Sequence, residues 1–287
     1  VGVTPAMPSG CSMDIMMDKY PDRVFDVGIA EQHAVTFSAG LAVEGLIPFC
    51  NIYSSFFQRA YDQFIHDVCL QDIAVVFCLD RAGVVGEDGA THHGLYDIPF
   101  LRVIPNVQII APSSKATLEM AMDLAMKQKR HPIVIRYPRG NSPEKVSVPQ
   151  DLEMGKAHVV HEEGEIVILN LGSQLYEAQK AIEQIRKDTG KNVALIDVLF
   201  LKPLDRSMIQ TVFSTYKKIL TIEDGTIKGG FYSLICEEAI EADYKGKIVG
   251  LGYPDIVVEH ASRVELLHDF GLDRDGILNS LQKINQL

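Results

Sequence analysis

The sequence predicts an α/β protein built as two consecutive parallel or mainly parallel sheet domains with helices on both faces. Three observations carry this. The 287 residues suffice for two domains at roughly 100 to 200 residues each. From Val24 to Tyr137, short apolar runs alternate with segments of helical spacing, as βαβ units require. The same alternation begins again after the proline-containing stretch 141–156, which has no sustained period and reads as an extended linker. The expected division is 1–142, a linker over 143–157, and 158–287.

Taken in order, VGVTPAMP reads as the end of a strand running into a loop. With Val1 in place of a start methionine, it suggests that the chain begins inside a longer protein. RVFDVG, LIPFCNI, IAVVFCLD, VQIIAP and IVIRYP are the first unit's strands. AEQHAVTFSAGLAVEG and SSFFQRAYDQFIHDVCL read as helices between them, and in SSKATLEMAMDLAMKQK the residues Leu118, Ala121, Met122 and Ala125 share one face. In the second unit, Ile166 to Asn170 is a buried strand. Ser173 is the expected N-cap of a helix that buries Leu175, Ala178, Ile182 and Ile185 before Gly190 stops it. VALIDVLFL, KILTIED and KIVGLGYP supply further strands, and VELLHDFG and GILNSLQKIN are closing helices.

Composition narrows the function classes. A net charge of −11 repels phosphate backbones and anionic lipid surfaces, so neither nucleic acid nor a membrane is an expected partner, while local basic sites for small anions remain compatible. No apolar run reaches the roughly 18 residues of a membrane span, and no signal-peptide pattern opens the chain. The five cysteines form neither a CxxC pair nor an even set, which fits reduced thiols in the cytoplasm. GxGxxG, Walker, GxSxG and HExxH patterns are absent.

Four segments carry candidate chemistry. Glu31 falls in the first turn of a helix that follows a strand. It suits either a carboxylate favouring the helix N-terminus or a functional acid at the ligand-binding edge of an open sheet. Tyr53, Phe56 and Arg59 stand at the mouth of the next unit, either as packing with a surface arginine or as an aromatic face for a heteroaromatic ring. The stretch DRAGVVGEDGATHHGLYD delivers Arg81, Glu87, Asp88, His92, His93 and Asp97 into a glycine-rich loop, a combination more expected of function than of packing. Its adjacent histidines match no metal-ligand spacing, and no metal site is expected in the chain. RYPRGN adds Arg136 and Arg139, with arginine suited to bidentate phosphate recognition. In TIEDGTIKGGFYSLI a glycine pair opens a helix, read here as structural.

VGIAEQHAVTFSAGLA, IYSSFFQRAYDQ, DRAGVVGEDGATHHGLYD and RYPRGN, in this order, resemble the C-terminal part of the 1-deoxy-D-xylulose-5-phosphate synthase family, thiamine-diphosphate enzymes of the transketolase superfamily. The resemblance covers essentially the whole chain. Its first half looks like the pyrimidine-binding domain, and its second half like the C-terminal transketolase domain. It implies a transferase that decarboxylates pyruvate on the cofactor and joins the two-carbon unit to glyceraldehyde 3-phosphate. By this match Glu31 would hydrogen-bond N1′ of the aminopyrimidine and drive its amino-to-imino shift, and Phe56 would stack on the ring. Tyr53 and Arg59 would line the site, Arg81 and Arg139 would hold the acceptor's phosphate, and Asp88 and His92 would lie near the reacting carbons, with His92 orienting substrate or moving protons.

The family's GDG motif with its downstream asparagine pair is missing, since the EDG triplets at Glu87 and Glu223 have neither the leading glycine nor the asparagines. Mg²⁺ and the diphosphate are therefore expected on an N-terminal domain in the same or a separate chain, with this chain inactive alone and a homodimer as the expected assembly. A cytoplasmic location is expected, or a plastid in a plant-type relative. The alternative is a stand-alone subunit of a split transketolase or a 2-oxoacid dehydrogenase β chain.

Overall fold

Two sheets organise the chain in the computed structural model, which describes residues 1–143 and 145–286. The first half contributes β1 (Gly2–Thr4), β2 (Val24–Asp26), β3 (Phe49–Tyr53), β4 (Val76–Asp80), β5 (Gln108–Ile110) and β6 (Ile133–Tyr137). The second contributes β7 (His158–His161), β8 (Ile166–Leu171), β9 (Ala194–Asp197), β10 (Phe200–Lys202), β11 (Lys218–Thr226) and β12 (Lys247–Tyr253). The strand orders are β10-β5-β6-β4-β3-β1-β2 and β12-β11-β8-β9-β7. Every pairing is parallel except those of β10 with β5 and β7 with β9, each at a sheet edge. Near-continuous apolar runs such as Val76–Leu79 and Ile166–Leu169 are what a sheet covered on both faces demands.

The helices around the sheets are α1 (Met13–Lys19), α2 (Glu31–Val43), α3 (Ser54–Phe57), α4 (Tyr61–Gln63), α5 (Asp97–Arg102) and α6 (Lys115–Lys127) in the first half. In the second half they are α7 (Leu175–Thr189), α8 (Arg206–Thr215), α9 (Phe231–Glu241), α10 (Arg263–Asp269) and α11 (Arg274–Gln286). In α6, Ser114 accepts from the Thr117 N–H while Thr117 reaches back, closing a capping box at the position where the apolar period starts.

Three sequence expectations change. The single strand expected for VALIDVLFL is two strands in two different sheets: Leu199 turns the chain at φ +57°, so β9 stays in the second sheet and β10 crosses to pair with β5 of the first. The helix expected over SSFFQRAYDQFIHDVCL is broken into α3, a 3₁₀ turn at Gln58–Ala60, α4 and a π turn at Phe64–Cys69. Such irregular turns let large side chains settle off the α-helical register. Phe57 and Phe64 use this to pack edge-to-face with each other at 5.0 Å and with Phe77 at 5.4 and 5.0 Å. Finally, α7 is capped by Gln174, not Ser173, and without a side-chain hydrogen bond. The Ser173 hydroxyl instead accepts from Arg263 at 3.3 Å.

One hydrophobic cluster runs through both halves, joining Val35, Ile52, Phe57 and Leu79 of the first to Val167, Leu169, Phe231 and Ile235 of the second. With β10 inserted in the first sheet, the two halves are packed as one body.

Candidate active site

Strand register sets the site. Tyr53 pairs with Asp80, and Asp80 with Tyr137, so β3, β4 and β6 end in one row. The loops leaving that row carry Phe56 and Arg59, Arg81 to His93, and Arg139. In parallel sheets this carboxyl edge is where ligands bind.

After β2, Asp26 accepts from the N–H groups of Ala6 and Gly28 at 2.8 and 3.0 Å and shapes the turn that delivers Glu31 as the first residue of α2. Glu31 is only 2% exposed. Its Oε2 has no hydrogen-bond partner, although the Arg59 Nε lies 3.3 Å away in an ion-pair contact off hydrogen-bonding geometry. Buried carboxylate oxygens are nearly always satisfied, so this one is a gap in the local bonding.

Tyr53, Phe56 and His92 form a contiguous aromatic group. Tyr53 and Phe56 stack with centroids 5.9 Å apart, and His92 meets Phe56 edge-on at 5.1 Å. His92 Nδ1 is held by the Thr91 hydroxyl at 2.9 Å. The Arg81 guanidinium lies 3.7 Å over the Tyr53 ring, donates to the Gly10 carbonyl at 3.0 Å and pairs with Asp80 at 2.8 Å. Burial pushes the Asp80 carboxyl up, against the pull of Arg81 and Arg139. Burial likewise raises the Tyr53 phenol. Arg139 pairs with Asp88 at 2.9 Å, both about half exposed.

The structure therefore brings Tyr53, Phe56, Arg81 and His92 into one group and leaves two separate pairs at the same sheet edge, Glu31 with Arg59 and Asp88 with Arg139. A cleft of about 110 Å³ beside the aromatic group is lined by Ser54, Ser55, Gln58, Thr91, His93 and Asp97, and the Ser54 and Ser55 hydroxyls there have no partner. A larger cavity of about 330 Å³ lies between α7 and α11, far from this edge.

Two residues that the loop motifs contain turn inward. Arg136 is buried and makes a two-pronged pair with Asp97 at 2.8 and 3.1 Å. His93 accepts from the Val85 N–H at Nδ1, so its proton sits on Nε2, facing the Glu259 carbonyl at 3.3 Å. Burial lowers its basicity further. Asp80, which anchors Arg81, was not singled out in the sequence; its one signal is its place at the end of a buried strand. Among the described residues, no three His, Cys, Asp or Glu side chains are placed to share a metal ion.

Two family models match the chain. The transketolase pyrimidine-binding domain covers residues 1–145, and the transketolase C-terminal domain covers 155–277. The chain belongs to the transketolase family.

Within it, the chain is similar to curated 1-deoxy-D-xylulose-5-phosphate synthases. It is 49% identical over 283 residues to that of Phocaeicola vulgatus, covering 98% of this chain and 45% of the relative. It is 43% identical over 288 residues to that of a Synechococcus strain, covering 98% and 44%. The chain thus spans less than half the length of the curated relatives it matches. Among solved structures, a split-gene transketolase described as an inactive β4 tetramer superposes with a TM-score of 0.87 at 26% identity, over 100% of this chain and 92% of that one. Transketolase from Campylobacter jejuni shares the fold at a TM-score of 0.81 and 15% identity, over 99% of this chain and 43% of that one. Among the described residues no helix is long and apolar enough to cross a membrane.

Proposed function

We propose that this chain supplies the aminopyrimidine-facing half of a thiamine-diphosphate site in an enzyme that condenses pyruvate with glyceraldehyde 3-phosphate, releasing CO2 and forming 1-deoxy-D-xylulose 5-phosphate. The observation that carries the reading is the unbonded, buried Oε2 of Glu31 at the strand edge, which an aminopyrimidine nitrogen would satisfy. The similarity to synthases along almost the whole chain supports it. When bound, thiamine diphosphate would supply the carbon nucleophile that the two-carbon transfer needs.

Glu31 holds or gives a proton at the ring nitrogen N1′. Excluded from water, it exchanges that proton with the ring and not with solvent. Phe56, backed by Tyr53 and braced by His92, offers the ring a flat apolar face. Arg59 keeps one charge beside Glu31 and lines the entrance. Arg81 and Arg139 meet the acceptor's phosphate, exchanging their present partners Asp80 and Asp88 for it in part. Asp88 and His92 then lie beside the reacting carbons, with His92 oriented through the Thr91 hydroxyl.

Mg²⁺ and the diphosphate bind an N-terminal domain in the same or a separate chain, and the working unit is a cytoplasmic homodimer. Residues 1–142 are the pyrimidine domain, 143–157 the linker, and 158–287 the C-terminal domain. Alone, the chain is inactive. A second reading, a stand-alone subunit of a split transketolase, is favoured by one observation: the split-gene transketolase chain is covered to 92%, against 45% for the first synthase relative.

The test is Glu31→Gln in the enzyme completed with its diphosphate-binding domain. Exchange of the cofactor's C2 proton, followed by deuterium incorporation, falls by about 10² to 10⁴-fold if Glu31 drives it. Exchange at the parent rate overturns the reading. Product analysis with pyruvate and glyceraldehyde 3-phosphate then separates a synthase from a transketolase.

A further inference from the structure

The glycine-rich loop between β4 and α5 carries Asp88 and His92, yet much of what holds it comes from the far half of the chain. Asp224, at the end of β11, is 2% exposed. Its Oδ1 accepts from the Val84 N–H at 3.2 Å, and its Oδ2 accepts from Arg263 at 2.8 Å. The loop comes so close that a Cβ at position 83 would lie 2.1 Å from the Asp224 Cγ, and Gly83 also sits at φ +78°, so only glycine fits there. A Cβ at Gly86 would lie 2.8 Å from the Arg263 backbone nitrogen. Deeper in, His93 spans from the Val85 N–H to the Glu259 carbonyl. At the loop's exit, the Thr226 N–H donates to the Leu95 carbonyl at 3.0 Å, and Arg136 bridges Asp97 to the Asp224 carbonyl at 3.0 Å.

Loops this rich in glycine do not hold one shape through their own backbone preference. Here the shape is imposed from outside, directly at Val84 and Leu95 by groups more than 130 positions away in sequence, and at Val85 through His93, whose other ring nitrogen faces Glu259. Among the described residues, no hydrogen bond or ion pair joins Asp224 or Arg263 to the aromatic group or to the Arg81 and Arg139 side chains, so neither is assigned as a catalytic residue. We infer that Asp224 and Arg263 are positioning residues: through Val84 they set where the loop presents Asp88 and His92, and so they tune recognition of the phosphorylated acceptor. This deepens the proposed function and rests on it, since it takes the loop to face the acceptor aldehyde.

The experiment compares Arg263→Ala, Arg263→Lys and Asp224→Asn with the parent in the completed holoenzyme. Four quantities are read: KM for glyceraldehyde 3-phosphate, KM for pyruvate, C2-proton exchange, and amide hydrogen exchange across residues 82–95. Arg263→Ala raises the acceptor KM about tenfold and speeds amide exchange of the loop about tenfold. C2-proton exchange, which depends on Glu31 outside the loop, stays within twofold, and so does the pyruvate KM. Arg263→Lys recovers most of both losses, because a single N–H donor to Asp224 suffices to keep the carboxylate turned to Val84. If Arg263→Ala does not fold, Asp224→Asn gives the same readout, since its amide turns a donor towards Arg263. Unchanged acceptor KM and loop exchange in folded variants overturn the inference. An equal fall in every kinetic step overturns it too. A parent enzyme without C2-proton exchange refutes the proposed function instead, and the amide-exchange arm still decides whether Asp224 and Arg263 hold the loop.

Discussion

Glu31 and Glu223 are both buried glutamates near the N-terminus of a helix that follows a parallel strand, and their bonding differs completely. Both oxygens of Glu223 are occupied: Oε2 accepts from the Phe231 N–H at 2.7 Å and Oε1 from the Tyr232 N–H at 2.8 Å, capping α9 from a strand instead of from its own N-cap. A Cβ at Gly230 would lie 2.3 Å from that Oε2, which accounts for the glycine there. Glu31 makes no such bond at Oε2. One carboxylate is spent on architecture, and the other is left with unmet bonding capacity at the sheet edge where ligands bind. The difference separates a structural acid from a candidate functional one more sharply than burial does, because the two are equally inaccessible.

The same substitution should therefore act oppositely at the two sites. Glu31→Gln removes activity by about 10² to 10⁴-fold and leaves the melting profile of the chain within about 1 kcal/mol of the parent, since Oε2 holds nothing but a half-exposed arginine. Glu223→Gln sets an amide N–H₂ against a backbone N–H and orphans one buried donor, costing about 1–3 kcal/mol of unfolding free energy. Paired denaturation and turnover measurements on both variants check this. A Glu31→Gln protein that melts as early as Glu223→Gln would place Glu31 with the structural acids.

A smaller effect is expected where the same contrast is drawn among arginines. Arg136 is locked onto Asp97 out of water, whereas Arg139 and Asp88 form a surface pair worth little to stability. Arg139→Met should raise the KM for the phosphorylated aldehyde about tenfold, while leaving the KM for pyruvate and the melting temperature near the parent values. Steady-state kinetics with each substrate varied in turn checks it, and a matching rise in both KM values would remove Arg139 from the acceptor site.

The alternation of apolar runs made the parallel strands legible, because a strand buried on both faces leaves the same trace wherever it lies. That trace cannot tell which sheet a strand joins. In VALIDVLFL apolar residues lie on both sides of the single Asp197, and the positive φ of Leu199 separates β9 from β10. The break of the helix over 54–69 was hidden for a similar reason, as aromatic side chains at mixed spacings suit α, 3₁₀ and π turns alike. The candidate site residues stood out through motifs and resemblance, yet nothing local marks Glu31 Oε2 as unbonded or Asp224 as the anchor of a loop 140 positions away. Both depend on what the folded chain brings alongside.

Asp197 extends the comparison to the seam between the halves. It ends β9 just before the chain crosses to the first sheet. Its Oδ2 accepts from Ser113 of the first half at 2.6 Å, and its Oδ1 from Asn170 at 3.2 Å. Neither partner is charged, and burial pushes its carboxyl up to about 7. A folded-state value above the unfolded one means that the folded chain holds the proton more tightly. The stabilisation is complete below the unfolded value, near 3.8, and is lost as the pH climbs to about 7. Between pH 6 and pH 8 this group alone lowers stability by about 1 kcal/mol. Asp197→Asn mimics the protonated acid and should remove that decline. The difference in unfolding free energy between variant and parent therefore grows with pH, while opposing contributions such as that of His93, whose basicity burial lowers, cancel in the difference. Denaturant unfolding of both proteins at pH 6 and pH 8 measures it. A difference independent of pH would mean that Asp197 enters the seam already ionised, with Ser113 and Asn170 sufficient to hold its charge.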